Sequence, residues 1–172
     1  TTYKVMVRAL QGNFTGTAFG PQASAATVLP NLTFSVATSL TSTPPYNIAF
    51  SNITAGSVVS ATTTADIGLT TNSLNGGTVY IKSNGTLASA LAANSITSAT
   101  ADLSLTSVGY GAAVSSTSQA SGGPFTALAP FNGAGNNVGG LSTSLQPILT
   151  SSGSITTGTA SITLKAKVDA TT

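Results

Sequence analysis

At 172 residues the chain is long enough for one domain with a real core and short for two. Only 5% of it is charged, against roughly 25% in an ordinary soluble protein, and the net charge is +2. The cations Lys4, Arg8, Lys82, Lys165 and Lys167 are scattered over three stretches, which excludes the dense basic patch that nucleic-acid binding needs.

With no Cys there is neither a disulfide framework nor a thiolate metal site. Glu is absent and cations are few, so exposed helix positions go unfilled, whereas Thr and Val suit pleated, half-buried surfaces. Hydrophobic residues make up 41%, too many at this net charge for a disordered chain. The composition points to an all-β fold. No run of ~18 apolar residues occurs, so no helical membrane span is expected. The sequence opens at Thr1, as expected of a secreted protein after removal of a signal peptide and equally of a trimmed chain.

Residues 1–10 alternate cleanly: Tyr3, Val5, Val7 and Ala9 share one face, Lys4, Met6, Arg8 and Leu10 the other. That is a half-buried strand at the extreme N-terminus, free to pair with its own sheet or with a neighbour's. Residues 11–21 are loop-like, broken by glycines and Pro21. A second alternating stretch, 31–37, puts Leu32, Phe34 and Val36 on one face, and Pro44-Pro45 ends that region. Residues 46–50 predict a strand with Ile48 and Phe50 inward, and 57–64 a Thr-rich strand of edge character.

Residues 64–69 and 100–105 both read Thr-Ala-Asp-aliphatic-x-Leu, either as equivalent positions in two sheets or by chance. Asn75-Gly76-Gly77 predicts a hairpin-type turn before a strand over 78–82, with Val79 and Ile81 inward. Thr86 is positioned to cap one short helix over 87–93. Residues 122–140, rich in Gly, Pro and Asn, read as a long ordered loop or weak hairpin anchored by Phe125, Leu128 and Phe131. The last strand, 160–169, alternates Ile162, Leu164, Ala166 and Val168 against Thr163, Lys165, Lys167 and Asp169. Evenly spaced short strands with turn signals predict an Ig-like or jelly-roll-like β-sandwich of roughly seven to ten strands with at most one short helix.

The chain offers little catalytic chemistry. Without His or Cys there is no Ser-His or Cys-His nucleophile system, and no Ser-x-x-Lys spacing occurs. Asp66, Asp102 and Asp169 are isolated in sequence and read as strand-end or turn residues bonding nearby backbone. No Asp-x-Asp-x-Asp run supplies a calcium loop, and residues 133–140 lack the Lys-Ser/Thr ending of a phosphate loop. The expectation is therefore a non-enzyme without cofactor or metal. Asn13, Asn31, Asn52 and Asn84 each begin an Asn-x-Thr sequon and are candidate N-glycosylation sites of an extracellular protein.

A cysteine-free, Thr/Ser/Ala/Gly-rich sandwich with alternating strands at both ends resembles subunits of extracellular filaments and pili of the donor-strand-complementation type. Chaperone–usher pilins and the β-sandwich pilins of archaeal and bacterial biofilm threads are the models. The chain departs from the first in lacking a disulfide and in its Lys- and Asp-bearing C-terminal segment. The resemblance implies a secreted, cell-surface homopolymer. Residues 1–11 would form the donor strand and 12–172 the sandwich, with Tyr3, Val5, Val7 and Ala9 entering a groove of the neighbouring subunit. The competing expectation is a monomeric cell-surface adhesin or carbohydrate-binding module whose 122–140 loop contacts ligand.

Overall fold

Thirteen residues near the C-terminus, Ile155–Lys167 (β15 in chain order), organise the main body of the structure. In the computed structural model, residues 2–8, 19–88 and 95–170 are described. The chain divides into two compact units, Thr1–Pro30 and Asn31–Thr172. The first contains β1 (Thr2–Val5) and β2 (Ala23–Ala26), which pair antiparallel with Thr2 opposite Ala26 and Val5 opposite Ala23.

The second unit holds the remaining strands. They are β3 (Leu32–Thr38), β4 (Val58–Ser60), β5 (Ala65–Thr71), β6 (Gly77–Ile81), β7 (Leu87–Ala88), β8 (Ser95–Ile96) and β9 (Ala101–Asp102). There follow β10 (Gly109–Ser118), β11 (Ser121–Gly122), β12 (Phe125–Ala127), β13 (Asn137–Val138), β14 (Gln146–Ser151) and β15 (Ile155–Lys167). No helix occurs among the described residues. The fold is all-β, with several sheets packed together as in a β-sandwich.

The larger sheet runs β10-β15-β5-β3, and β15 also pairs with β11 and β4. Along one edge β15 takes β11 and then β10; along the other it takes β5 and then β4. Its alternation explains its central position. Ile155, Ala160, Ile162 and Ala166 are buried against the core while Thr159 stays exposed, so one strand supplies an apolar row to most of the sheet. The register breaks between Ile155 and Gly158, where Thr157 adopts a positive φ of 50° and its amide donates to Thr70 Oγ1 at 3.1 Å. A second sheet, β12-β14-β6, covers the inner face.

The main core gathers Ile67, Leu69, Val79, Phe125, Phe131, Ile148, Leu149, Ile155 and Ile162 from both sheets. A smaller cluster of Ile96, Tyr110 and Ala166 packs with Phe50, Ile53, Leu87, Val108, Leu141 and Val168. The Tyr110 hydroxyl leaves that cluster satisfied by donating to the Gly85 carbonyl at 2.7 Å.

Several sequence expectations meet the structure directly. Residues 31–37 fall largely in β3, 78–82 largely in β6, and 160–169 largely in β15, which ends at Lys167. Phe125 and Phe131 are buried anchors of the 122–140 stretch, which carries β12 and β13. Three expectations are corrected. Residues 46–50 form no strand; Phe50 makes a single bridge to Ala61, and Asn47 and Ala49 instead accept hydroxyl bonds from Thr63 and Thr62. The Asn75-Gly76-Gly77 turn does not close a hairpin, because β5 and β6 belong to different sheets. Gly76 is required there: its φ is 65°, and a Cβ would lie 1.8 Å from the Ser151 carbonyl oxygen. Of the expected helix, Leu87 and Ala88 form β7, and residues 89–94 lie outside the described residues.

The two Thr-Ala-Asp segments are not equivalent. Ile67 and Leu69 are both buried on a long strand, whereas Leu103 is buried and Leu105 is exposed in a turn after β9.

Candidate assembly surfaces

The N-terminal arm presents apolar side chains to solvent. Tyr3 and Val5 lie on β1 and Val7 just beyond it, and all three are more than half exposed. Ala9 and the sequon Asn13 lie outside the described residues. β1 is one arm of a hairpin, since β2 occupies one of its edges. The arm continues to Val7, whose carbonyl accepts from the Gly20 amide at 2.8 Å, and the Arg8 guanidinium lies over the Phe19 ring at 5.3 Å. A two-stranded hairpin is marginal in water by itself, and here every described residue of both strands is exposed.

The second unit has its own uncovered face. β3 and β6 are the last strands of their sheets, each paired on one side among the described residues. Gly77 on β6 faces Leu69 on β5. β3 lies one strand further out than β5, at the end of its sheet. The inner face of β3 is closed at Val36, which packs on the core. It is open at Phe34 and Leu32, which are 52% and 68% exposed. Exposed apolar groups of this size on a terminal strand make this face a candidate for pairing with another chain.

The remaining sequence candidates are dispersed. Asp66 lies inside β5 and its Oδ1 accepts from Thr64 Oγ1 at 2.9 Å and Ser161 Oγ at 2.8 Å. Its partners are thus hydroxyls in the sheet and not the nearby backbone expected from sequence. Asp102 behaves as expected: Oδ1 accepts from the Ser104 amide at 2.9 Å and the Ser104 hydroxyl at 2.5 Å. The Ser104 hydroxyl first, then its amide, hold this carboxyl below its ordinary value, with Lys167 contributing. No group of three metal-ligating side chains occurs among the described residues. No described helix is long and apolar enough to cross a membrane. The sequon residues Asn31, Asn52 and Asn84 are all exposed.

No family model, no curated protein and no solved structure matches this chain.

Proposed function

We propose that the chain is a structural subunit of an extracellular filament, secreted to the cell surface and polymerising through its N-terminal strand. Tyr3, Val5, Val7 and Ala9 of one copy enter the open side of the next copy's sandwich, adding a strand beside β6 and lying over Leu32 and Phe34. The observation that carries this reading is the exposure of Leu32 and Phe34 on the core-side face of β3, the terminal strand of its sheet. A strand inserted there extends the smaller sheet with main-chain hydrogen bonds, the mode called β-augmentation.

The energetics favour such a junction. Burying Tyr3, Val5 and Val7 at ~1.5–3 kcal/mol each, with a smaller share from Ala9, contributes on the order of 5–10 kcal/mol. Alternation fixes the face, because a one-residue slip inserts Lys4 and Arg8 instead of Tyr3, Val5 and Val7. Attached sugars at Asn13, Asn31, Asn52 and Asn84 are part of the same reading, and the native protein then has an intact mass above the bare 16.8 kDa.

Native-state sizing tests the proposal. The expected result is a ladder of polymers that survives mild heating and collapses to monomer in Val5→Asp. A single monomer peak for the unaltered protein contradicts it and favours the monomeric binding module.

A further inference from the structure

A cleft on the outer face of the larger sheet has the makings of a ligand site, and its existence does not depend on the filament reading. It encloses about 490 Å³, within the size range of small-ligand pockets. Its floor is β10 and β15, with Ser115 and Thr163; one wall is Ser60 on β4 and the other the turn from Asn132 to Gly135. Topology makes the cleft. β15 changes partner from β5 to β4 between Ile162 and Lys165, and β10 shifts register between Val114 and Ser116, so Ser115 stands out of the ladder.

The lining is chemically one-sided. Lys165 supplies its only charge, no carboxylate lines it, and the ammonium donates to the main-chain carbonyl of Gly135. Lys167, two residues along the same face, lies outside the cleft lining, near enough to Asp102 to help hold that carboxyl below its ordinary value. Ser60, Ser115, Thr163 and Asn132 supply its other polar side chains: Thr163 Oγ1 donates to Ser115 Oγ at 3.2 Å, which donates to the Ser161 carbonyl at 3.0 Å. No aromatic ring lines the cleft, so a neutral sugar has nothing to stack on.

We infer that this cleft binds a sugar bearing one carboxylate, with the carboxylate on Lys165 and the sugar hydroxyls on Ser60, Ser115, Thr163 and Asn132. The charge-assisted bond supplies selectivity over the neutral sugar. Equilibrium dialysis of labelled glucuronate against the whole chain tests this in any assembly state. Saturable retention is expected, with glucose held roughly tenfold more weakly and with a loss of similar size in Lys165→Gln. Lys165→Arg keeps the charge and retains binding, and Thr163→Val weakens it without touching the cation. Circular dichroism of each variant shows that the sheet is intact. Absence of saturable retention, equal retention of glucose, or unchanged retention in Lys165→Gln overturns the proposal.

Discussion

Phe34 and Leu69 sit directly opposite each other on neighbouring strands, side chains on the same face, yet Phe34 is 52% exposed and Leu69 5%. The difference follows their places in the sheet: Leu69 lies on β5, between β15 and β3, and belongs to the buried core, whereas Phe34 lies on the terminal strand β3.

That asymmetry separates assembly from stability. Leu69→Ala removes buried contacts and should lower unfolding free energy by ~2–5 kcal/mol. Phe34→Ala should cost about 1 kcal/mol or less, since much of the ring is already hydrated. Under the filament proposal, Phe34→Ala nevertheless abolishes polymer ladders while chemical denaturation of the monomer barely changes. A Phe34→Ala protein that still polymerises like the parent removes β3 from the junction.

Two glycines with similar backbone angles should respond differently to substitution. Gly76 (φ 65°) has the Ser151 carbonyl 1.8 Å from a would-be Cβ, whereas Gly56 (φ 79°) has nothing within 4 Å. Gly56→Ala pays only the left-handed strain of ~1–2 kcal/mol. Gly76→Ala must also move the chain joining the two sheets, so its melting temperature should fall well below that of Gly56→Ala. Equal losses would mean that the close approach relaxes freely.

Asp102 predicts a feature of acid stability. Its folded carboxyl is held below the ordinary value of 3.8, first by the Ser104 hydroxyl. A depressed folded value means the stabilisation is present above the unfolded value, about pH 4, and is lost as pH falls through the folded one. Asp102→Asn should therefore flatten the melting-temperature profile below about pH 4. An unchanged acid limb contradicts this role.

The all-β fold was legible because Thr, Val and alternating apolar residues leave no surface for helices, and β3, β6 and β15 show period two openly. β10 was not legible. Gly109, Tyr110, Gly111, Ala112 and Ala113 are all buried, so small residues on both faces erase the alternation. Gly111 shows why they are small: a Cβ there would lie 2.6 Å from the Gly139 carbonyl oxygen. β2, with only Ala and Ser, was silent for a related reason, and its pairing with β1 went unread. β14 hides its strand behind Pro147 and a register shift, although Ile148 and Leu149 are fully buried.

At the candidate surfaces, the alternation of Tyr3, Val5 and Val7 was visible from sequence. The open end of β3 was not. Leu32 and Phe34 follow the same period as Val36, and only the three-dimensional packing decides which of them is covered.

Electron microscopy of the protein lacking residues 1–10 tests the central claim most directly, alongside the intact chain under the same conditions. The account predicts filaments from the intact chain and only soluble, folded monomers from the truncated one. Filaments that persist without residues 1–10 would contradict it.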